Sequence, residues 1–318
     1  LIGSIDGGSG NDILDYSGDI STIHTVRIFA LNGRGSQDGF AGIENSTIVS
    51  GFDNIDSIKG GLGMDTLQGI NSNAIFDIHS DRIEYTVGAN KLLFTLIENL
   101  VGGDADDTFR FHGNAQLPGL HNSIDGKSGQ DTLDYSFYDD PISVYLIGGV
   151  CTGVNDGVAG IENVIGSPGD DKIYGNHQAN ILNGGGGNDQ LYGWGGDDIL
   201  IGGSGDDYLD GGEGNDNVDY SDNSQAGIII SLLNGSASSE ESSNDTLMAV
   251  ENVIGTIWAD EISGDNNDNI IYGNGGDDIL IGLGGNDTYV FAPGWGQVNV
   301  IDSSGTDTLD FSALNQDL

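Results

Sequence analysis

Positive charge is scarce in this chain of 318 residues. It has only 8 lysines and arginines against 50 aspartates and glutamates, which gives a formal net charge of −42 at pH 7. So negative a surface repels polyanions, which excludes nucleic acid and anionic lipid as direct partners. The basic residues also end early, because no lysine or arginine occurs from Ile173 to Leu318. Basic side chains therefore cannot neutralise the acidic groups in the second half of the chain.

Other absences narrow the class of protein. The single cysteine, Cys151, excludes a disulfide framework. No apolar run approaches the roughly 18 residues that a membrane span needs, so we expect no insertion into a membrane. The sequence has no G-x-S-x-G elbow, no H-E-x-x-H motif and no Walker loop, and its five histidines show no metal-ligand spacing. We therefore predict that the protein is not an enzyme.

Glycine is abundant, with 55 residues, and it recurs in a nine-residue repeat. Six units run without a gap from Gly166 to Asp219, and four more run from Gly255 to Val290. Isolated or degenerate copies begin at Gly7, Gly60, Gly102 and Gly126. Each unit has six glycine-rich residues that end in Asp or Asn, followed by three residues with an apolar one in the middle.

A glycine loop followed by a three-residue strand, repeated many times, predicts an all-β solenoid. Strands of like parity stack in parallel and form two small sheets that face each other. The middle residue of each strand points into the core. The predicted inward residues are Ile173, Leu182, Leu191, Leu200, Leu209, Val218, Ile262, Ile271, Leu280 and Tyr289.

Stacking also brings together the acidic ends of loops that lie 18 residues apart. It pairs Asp171 with Asp189, Asp189 with Asp207, Asp198 with Asp216, Asp260 with Asp278, Asn180 with Asp198, and Asn269 with Asp287. Paired carboxylates with loop carbonyls make a flexible, all-oxygen cage. Calcium accepts 6–8 such ligands in irregular geometry, whereas magnesium prefers a strict octahedron. We predict that calcium supplies the missing positive charge.

These units resemble the calcium-binding nonapeptide repeats of RTX (repeats-in-toxin) proteins, G-G-x-G-x-D-x-U-x. The resemblance implies a right-handed parallel β-roll, with some longer irregular turns in this chain, and calcium ions between successive loops. Departures from the pattern are Asn180 and Asn269 at the sixth position, and Trp194 and Leu283 in place of the second glycine; we expect the Asn sites to bind more weakly or to rely on carbonyls. The predicted metal ligands are Asp12, Asp65, Asp107, Asp131, Asp171, Asn180, Asp189, Asp198, Asp207, Asp216, Asp260, Asn269, Asp278, Asp287 and Asp307. We expect roughly six to ten Ca²⁺ ions per chain.

Longer units separate the nonapeptides and define the predicted organisation. We expect a degenerate solenoid over 1–165, a six-unit β-roll over 166–219, a long-turn insertion over 220–254, a four-unit β-roll over 255–290, and capping strands over 291–318. Predicted strands outside the nonapeptides are Val26–Leu31, Ile75–Ile78, Arg82–Val87, Lys91–Ile97, Ile142–Ile147, Ile228–Leu233, Val298–Ile301 and Thr308–Phe311. Asp302 and Asp307 are predicted to complete one more ion site.

Two sets of recurring residues accompany the longer units. Glu44, Glu98, Glu162 and Glu251 stand in "IEN" or "VEN" motifs, and Tyr16, Tyr135 and Tyr220 follow "LD" or "VD". We interpret the glutamates as polar turn positions and the tyrosines as packed residues, because repeated residues mark architecture and an active site is usually singular. Outward rows of tyrosine and isoleucine, such as Tyr174 with Tyr192 and Ile181 with Ile199, are candidates for an interface.

The mixture of modules looks like the repetitive regions of large secreted or surface bacterial RTX adhesins. We therefore predict an extracellular, calcium-binding structural or adhesive β-solenoid that folds on binding Ca²⁺. It could self-associate end to end, or through the Ile and Tyr rows, as a protomer of a filament or surface layer. The alternative is a C-terminal appendage of a secreted protease, lipase or polysaccharide-modifying enzyme. The sequence opens inside a repeat, which suggests a segment of a longer protein, and it leaves open carbohydrate binding by Trp194 or Trp258.

Overall fold

The computed structural model of the chain describes residues 5–6, 12–16, 25–31, 40–44, 48–119, 121–222, 226–239 and 244–314. Most of the repeat copy predicted from Gly7 and the side chain of Glu44 lie outside this description. Over the described residues the fold is all-β, with one short 3-10 turn at Leu146–Gly148. Within these ranges, no helix is long and apolar enough to cross a membrane. The chain divides into two compact units, Leu1–Ile165 and Gly166–Leu318.

The first unit consists of short strands, most of them three to five residues long. They are β1 Ile5–Asp6, β2 Ile13–Asp15, β3 Thr25–Leu31, β4 Phe40–Glu44, β5 Ile48–Ile55, β6 Ser57–Lys59, β7 Thr66–Gln68, β8 Ile75–Ile78, β9 Ile83–Val87, β10 Asn90–Thr95, β11 Asn99–Val101, β12 Thr108–His112, β13 Ser123–Asp125, β14 Thr132–Phe137, β15 Ser143–Tyr145, β16 Val150–Cys151, β17 Gly157–Ala159 and β18 Asn163–Ile165. Two sheets contain most of them, in the orders β1-β5-β4-β3-β7-β11-β13-β17 and β2-β6-β10-β9-β8-β12-β14-β18.

The longer units of the first half form antiparallel hairpins inserted in otherwise parallel sheets. Strands β3, β4 and β5 make one such meander, β8, β9 and β10 make a second, and β15 pairs with β16. The predicted strands are found, with two corrections. Strand β10 ends at Thr95 and not Ile97, because Leu96 has a left-handed backbone with φ 56°. Strand β15 ends at Tyr145, where the 3-10 turn begins.

Aromatic side chains fill the core of the first unit. Phe76 stacks on Phe109 and Phe111 stacks on Tyr135, each pair with ring centroids 4.7 Å apart. All four residues are fully buried. The unit also contains ion pairs, such as Arg110 with Asp134 at 2.6 Å. Hydrophobic burial and charge pairing therefore both contribute to the stability of this half.

The second unit contains the two blocks of contiguous nonapeptides. Its strands are β19 Lys172–Tyr174, β20 Ile181–Gly186, β21 Gln190–Gly195, β22 Ile199–Ser204, β23 Tyr208–Glu213, β24 Asn217–Asp219, β25 Ile228–Ser231, β26 Ser236–Ser239, β27 Asn244–Met248, β28 Asn252–Ile254, β29 Glu261–Ser263, β30 Ile270–Tyr272, β31 Ile279–Ile281, β32 Thr288–Val290, β33 Asn299–Ile301 and β34 Thr308–Asp310. Even and odd nonapeptides alternate between two sheets, ordered β20-β22-β24-β28-β30-β32-β34 and β19-β21-β23-β27-β26-β25-β29-β31-β33.

The core of the second unit is the predicted column of inward residues. Leu182 aligns with Leu200 in parallel register, and Ile173 aligns with Leu191. All ten predicted inward residues are buried to 1% exposure or less, which confirms this part of the prediction. Four strands, β20 to β23, are six residues long instead of three. They extend into the loops because glycine backbones of successive coils approach closely enough to pair, as Gly185 does with Gly203.

Strands β25, β26 and β27 form an antiparallel insertion between the two blocks. Strand β25 ends at Ser231 and not at the predicted Leu233, because a turn begins after Ser231. Strand β27 pairs in parallel with β23, and β25 pairs in parallel with β29, so the insertion keeps the sheet continuous. At the other end, β33 and β34 are the two strands predicted after the last nonapeptide. Leu309 occupies the inward position of β34 but is 53% exposed, so the last coil buries its core residue only in part.

Candidate metal centre

The sixth-position side chains of successive loops form a continuous hydrogen-bonded ladder. The backbone N–H of Asp171 donates to Oδ1 of Asp189, at 2.8 Å, and the N–H of Asp189 donates to Oδ1 of Asp207 at the same distance. On the other side of the coils, Asn180 N–H donates to Asp198. The same bond joins Asp198 to Asp216, Asp260 to Asp278, and Asn269 to Asp287. All six pairs predicted from the 18-residue spacing are therefore brought together.

The ladder continues through residues that the nonapeptide pattern did not predict. Asp207 N–H donates to Asp245 Oδ1 at 3.0 Å, across 38 residues of sequence. Glu251 takes the next position on the opposite side, where its Oε2 accepts from Asp216 N–H at 2.9 Å. In the first unit, Glu98 and Glu162 accept in the same way from the N–H groups of Asp65 and Asp131.

Glu98, Glu162 and Glu251 of the "IEN" and "VEN" motifs thus stand where another coil would place its sixth-position Asp. A signal for this was present in the sequence. Glu162 and Glu251 lie two residues before the inward residues Val164 and Val253, which is the offset of Asp171 from Ile173. Asp245 has the same offset from Leu247 and was identifiable in the same way.

Among the residues that the structure describes, several buried carboxylate oxygens of the ladder have no hydrogen-bond partner. In the second unit these are the Oδ2 atoms of Asp189, Asp198, Asp207, Asp216, Asp278 and Asp287, and in the first unit those of Asp12 and Asp131. Leaving a buried charged acceptor unsatisfied costs more than about 1–3 kcal/mol for each group. These oxygens therefore require a positive partner if the carboxylates are to remain ionised.

Burial shifts the proton equilibrium of the same groups. It raises the pKa of Asp189 to about 8 and the pKa of Asp198 to about 7, against an ordinary value of 3.8, although a backbone N–H donor opposes the shift in each case. It raises the pKa of Asp207, Asp216 and Asp278 to about 6. Neighbouring carboxylates add to the effect, as Asp216 does for Asp198. Without a cation, these carboxyl groups are therefore partly or mostly protonated at a pH near neutral.

The first-position glycines explain why these oxygens converge. A Cβ on Gly193 would lie 2.1 Å from Asp198 Oδ2 and 2.5 Å from the carbonyl oxygen of Gly211, the first residue two units later. A Cβ on Gly184 would lie 2.2 Å from Asp189 Oδ2 and 2.7 Å from the carbonyl oxygen of Gly202. Only glycine leaves room for a carboxylate and a carbonyl of adjacent coils to point at the same region.

The predicted ligands of the first unit have more varied partners. Asp107 N–H donates to Asp131 Oδ1 at 2.7 Å, which joins these two residues across 24 positions. Asp12 donates from its N–H to Asp56 Oδ2 at 2.8 Å, and Asp56 was not predicted. Burial raises the pKa of Asp131 to about 7 and that of Asp107 to about 6.

The last two coils bring three carboxylates together. Ligand atoms of Asp287, Asp302 and Asp307 all lie within 4.8 Å of one another. Asp287 N–H donates to Asp307 Oδ1 at 3.2 Å, and the hydroxyl of Tyr289 donates to Asp302 Oδ2 at 2.6 Å. The structure thus places Asp302 and Asp307 beside the sixth-position residue of the preceding coil.

A second ladder, formed by the fifth-position residues, was missed in the sequence. Asn188 N–H donates to Asp170 Oδ1, and Asp206 N–H donates to Asn188 Oδ1, both at 2.8 Å. Its direction is opposite to that of the first ladder, because each fifth-position side chain accepts from the following coil. The signal was the Asp or Asn at this position in every contiguous unit except those with Ala179 and Ala259.

Comparison with known families identifies the repeated segments. The model of the RTX calcium-binding nonapeptide repeat matches four stretches, residues 4–23, 156–191, 192–222 and 255–289. The chain carries RTX calcium-binding repeats. RTX repeats form β-rolls and bind Ca²⁺, which agrees with the parallel sheets and the ladder of buried carboxylates. No curated protein matches the chain.

The residues of these RTX loops fit calcium. The unpartnered Oδ2 atoms and the first-position carbonyls are hard oxygen donors on flexible loops, the ligand type that Ca²⁺ prefers. In the second unit, the Oδ2 atoms of Asp189, Asp198, Asp207, Asp216, Asp278 and Asp287 would hold the ions. A bound Ca²⁺ supplies the positive charge that buried carboxylates lack.

Proposed function

We propose that the chain is an extracellular, calcium-binding β-solenoid with a structural or adhesive role, whose second unit folds when calcium binds. One observation carries the proposal. Six buried carboxylate oxygens of the second unit have no hydrogen-bond partner in the described structure, and no lysine or arginine follows Lys172. Because metal binding of this kind contributes directly to the free energy of folding, we expect the second unit to bind its ions and to fold in one coupled step.

An exterior location follows from the ion supply that such sites need. Extracellular calcium modules typically bind with dissociation constants of about 10⁻⁴–10⁻³ M. In a compartment with little free Ca²⁺, repulsion among the carboxylates would keep the second unit unfolded. Outside the cell, where calcium is abundant, the same carboxylates would be neutralised in place. We propose roughly six to ten ions per chain, with the loops that lack an unpartnered oxygen contributing less.

The outer faces of the second unit support an interaction role. Ile181 and Ile279 are 41% and 38% exposed, and Ile229 is 55% exposed. Tyr174 stacks on Tyr192 with ring centroids 4.4 Å apart, in a row that Tyr208 extends. Apolar and aromatic groups held at strand spacing on a flat face favour lateral contact with another surface. Ile181 lies on one sheet, and the tyrosine row, Ile229 and Ile279 lie on the other. We propose that these outer faces mediate adhesion or self-association into a filament or layer.

The test is circular dichroism of the whole chain in millimolar Ca²⁺, in EDTA, and in EDTA with excess Mg²⁺. We expect the full strand signal only with Ca²⁺, and the partial signal of the first unit in EDTA with or without Mg²⁺, since Mg²⁺ is a poor match for irregular oxygen cages. A chain equally folded in calcium and in EDTA would overturn the proposal. Sedimentation of the calcium-loaded chain over a range of concentrations then tests self-association separately.

A further inference from the structure

The loops of this chain fall into two classes according to what the sixth-position side chain accepts. In one class the second residue of the same loop donates its backbone N–H to it. Ser167 N–H donates to Asp171 Oδ2 at 2.6 Å, and Thr256 N–H donates to Asp260 Oδ2 at 2.7 Å. The same bond occurs in the loops that end at Asp65, Asp107, Asn180 and Asn269. We call these closed loops.

In the other class the described structure gives the carboxylate Oδ2 no partner. These loops end at Asp131, Asp189, Asp198, Asp207, Asp216, Asp278 and Asp287. Asp12 Oδ2 also has no partner, but the second residue of its loop, Gly8, lies outside the described residues, so that loop is not classified. We call them open loops.

The backbone of the second residue separates the two classes without exception. In the open loops its φ is positive, at 78° for Lys127, 93° for Gly185, 79° for Trp194, 95° for Gly203, 99° for Gly212, 67° for Asn274 and 73° for Leu283. In the closed loops no second residue is among those with positive φ, whether it is Ser167, Thr256, Gly61 or Gly103. Glycine alone does not decide the class, because it occurs in both.

A rotation of one peptide plane accounts for this correlation. Rotating the peptide between the first and second residues changes ψ of the first and φ of the second together, as in the difference between type I and type II turns. The rotation that gives the second residue a positive φ turns its N–H away from the carboxylate. It also turns the carbonyl oxygen of the first residue to the side that the N–H has left. In the open loop, the carbonyl oxygen of the first residue, an acceptor, thus takes the place of the N–H donor of the second residue.

Backbone strain indicates that the open form of the loop has a functional role. A left-handed backbone costs a residue with a side chain roughly 1–2 kcal/mol. Trp194 and Leu283 nonetheless adopt it, where glycine serves at Gly185 and Gly203. Strain of this kind persists where the surroundings impose it, and it clusters at binding sites.

We propose that only the open loops are cation sites and that the backbone conformation of the second residue distinguishes the two classes. The inference rests on the proposed calcium-dependent function and divides the predicted ligands of that function. The carboxylates of the open loops bind ions. Those of the closed loops, including Asp171 and Asp260, are hydrogen-bonded residues that hold the coil in shape.

Native mass spectrometry of the whole chain in Ca²⁺ tests this by counting bound ions. Asp171 and Asp189 are a matched pair, because both are buried sixth-position residues on the same side of adjacent coils. We expect Asp189→Asn to lose about one ion relative to the unmodified chain, and Asp171→Asn to keep the full count. Equal losses from the two variants would overturn the inference.

Asn274 allows a test that leaves the carboxylate in place. Asn274→Val keeps a Cβ but disfavours the left-handed backbone, so we expect it to close the loop and lose the ion at Asp278. Asn274→Gly accepts the same backbone and should keep that ion. Retention of the full count by Asn274→Val, with circular dichroism showing a folded chain, would also overturn the inference. If the unmodified chain binds no calcium, the proposed function itself fails before any variant is compared.

Discussion

Removing calcium at neutral pH should unfold the second unit, and mild acid should partly restore it. The buried carboxyl groups set the size of the effect. The pKa of Asp189 rises to about 8 through burial, from 3.8, so folding without a cation at pH 7 costs roughly 4 kcal/mol at this residue. Burial also raises the pKa of Asp198, Asp207, Asp216 and Asp278, so each of these residues adds a further cost in the same direction. A typical domain has only about 5–15 kcal/mol of stability in total.

The sign of the pH dependence follows from the direction of these shifts. A carboxyl group with a raised pKa binds its proton more tightly in the folded state than in the unfolded state. The calcium-free fold therefore gains stability as the pH falls from about 8 towards 4, and loses it as the pH rises through the same window. With calcium bound the dependence should reverse, because protons compete with the ion for the same oxygens.

Urea unfolding followed by circular dichroism, in EDTA at pH 7 and at pH 5, measures this directly. We expect little cooperative signal from the second unit at pH 7, and a recovered transition at pH 5. The aromatic core and ion pairs of the first unit should leave part of the strand signal at both pH values, which serves as an internal control. A calcium-free chain that is fully folded at pH 7, or less stable at pH 5, would refute the reasoning.

Three pairs of substitutions test other features by thermal or urea unfolding in saturating calcium. Glu251→Ala leaves the ladder N–H of Asp216 without its acceptor and should destabilise the second unit by about 1–3 kcal/mol. Glu251→Gln still offers an acceptor and should retain most of the stability. Equal losses from the two variants would contradict a hydrogen-bonding role for Glu251. Trp194→Gly removes a side chain from a left-handed position and should stabilise the second unit by up to about 1–2 kcal/mol. Trp258→Gly should not stabilise it, because Trp258 has no positive φ to relieve. A destabilised Trp194→Gly variant would show that the Trp194 side chain contributes to folding. Leu200→Ala should lower the free energy of unfolding by about 2–5 kcal/mol, because it leaves a cavity in the core. The neighbouring residue Ile199 is only half-buried, so Ile199→Ala should lower it clearly less. Similar losses would place Leu200 outside a packed core.

Periodicity alone predicted most of the second unit. The nine-residue spacing identified the inward column from Ile173 to Tyr289 and the 18-residue pairing of the acidic loops. Both depend on local geometry that repeats with the sequence, so a pattern of residue types is sufficient. The same argument shows why Asp245 and Glu251 were missed. Their loops have other lengths, and only their offset from the next inward residue carries the signal.

The state of each loop could not be predicted from residue types. Gly61 and Gly185 are both second-position glycines, yet Gly61 donates to its carboxylate and Gly185 has a positive φ. Trp194 and Leu283 depart from the repeat pattern at the second glycine, but they adopt the same backbone as the glycines they replace. The orientation of one peptide plane depends on the coil stacked above and below, which a single sequence does not display.

The offset between ladder residue and inward residue constrains how such a chain can change in length. From Asp198 to Asp216 the ladder advances by 18 residues, but from Asp207 to Asp245 it advances by 38 and from Asp216 to Glu251 by 35. Insertions of different lengths are therefore compatible with the coil, provided that an Asp, Asn or Glu returns two positions before the next core residue. A deletion of nine residues would instead move every later acidic group to the opposite side. This architecture therefore tolerates the duplication or loss of pairs of units, and it tolerates insertions of variable length between units.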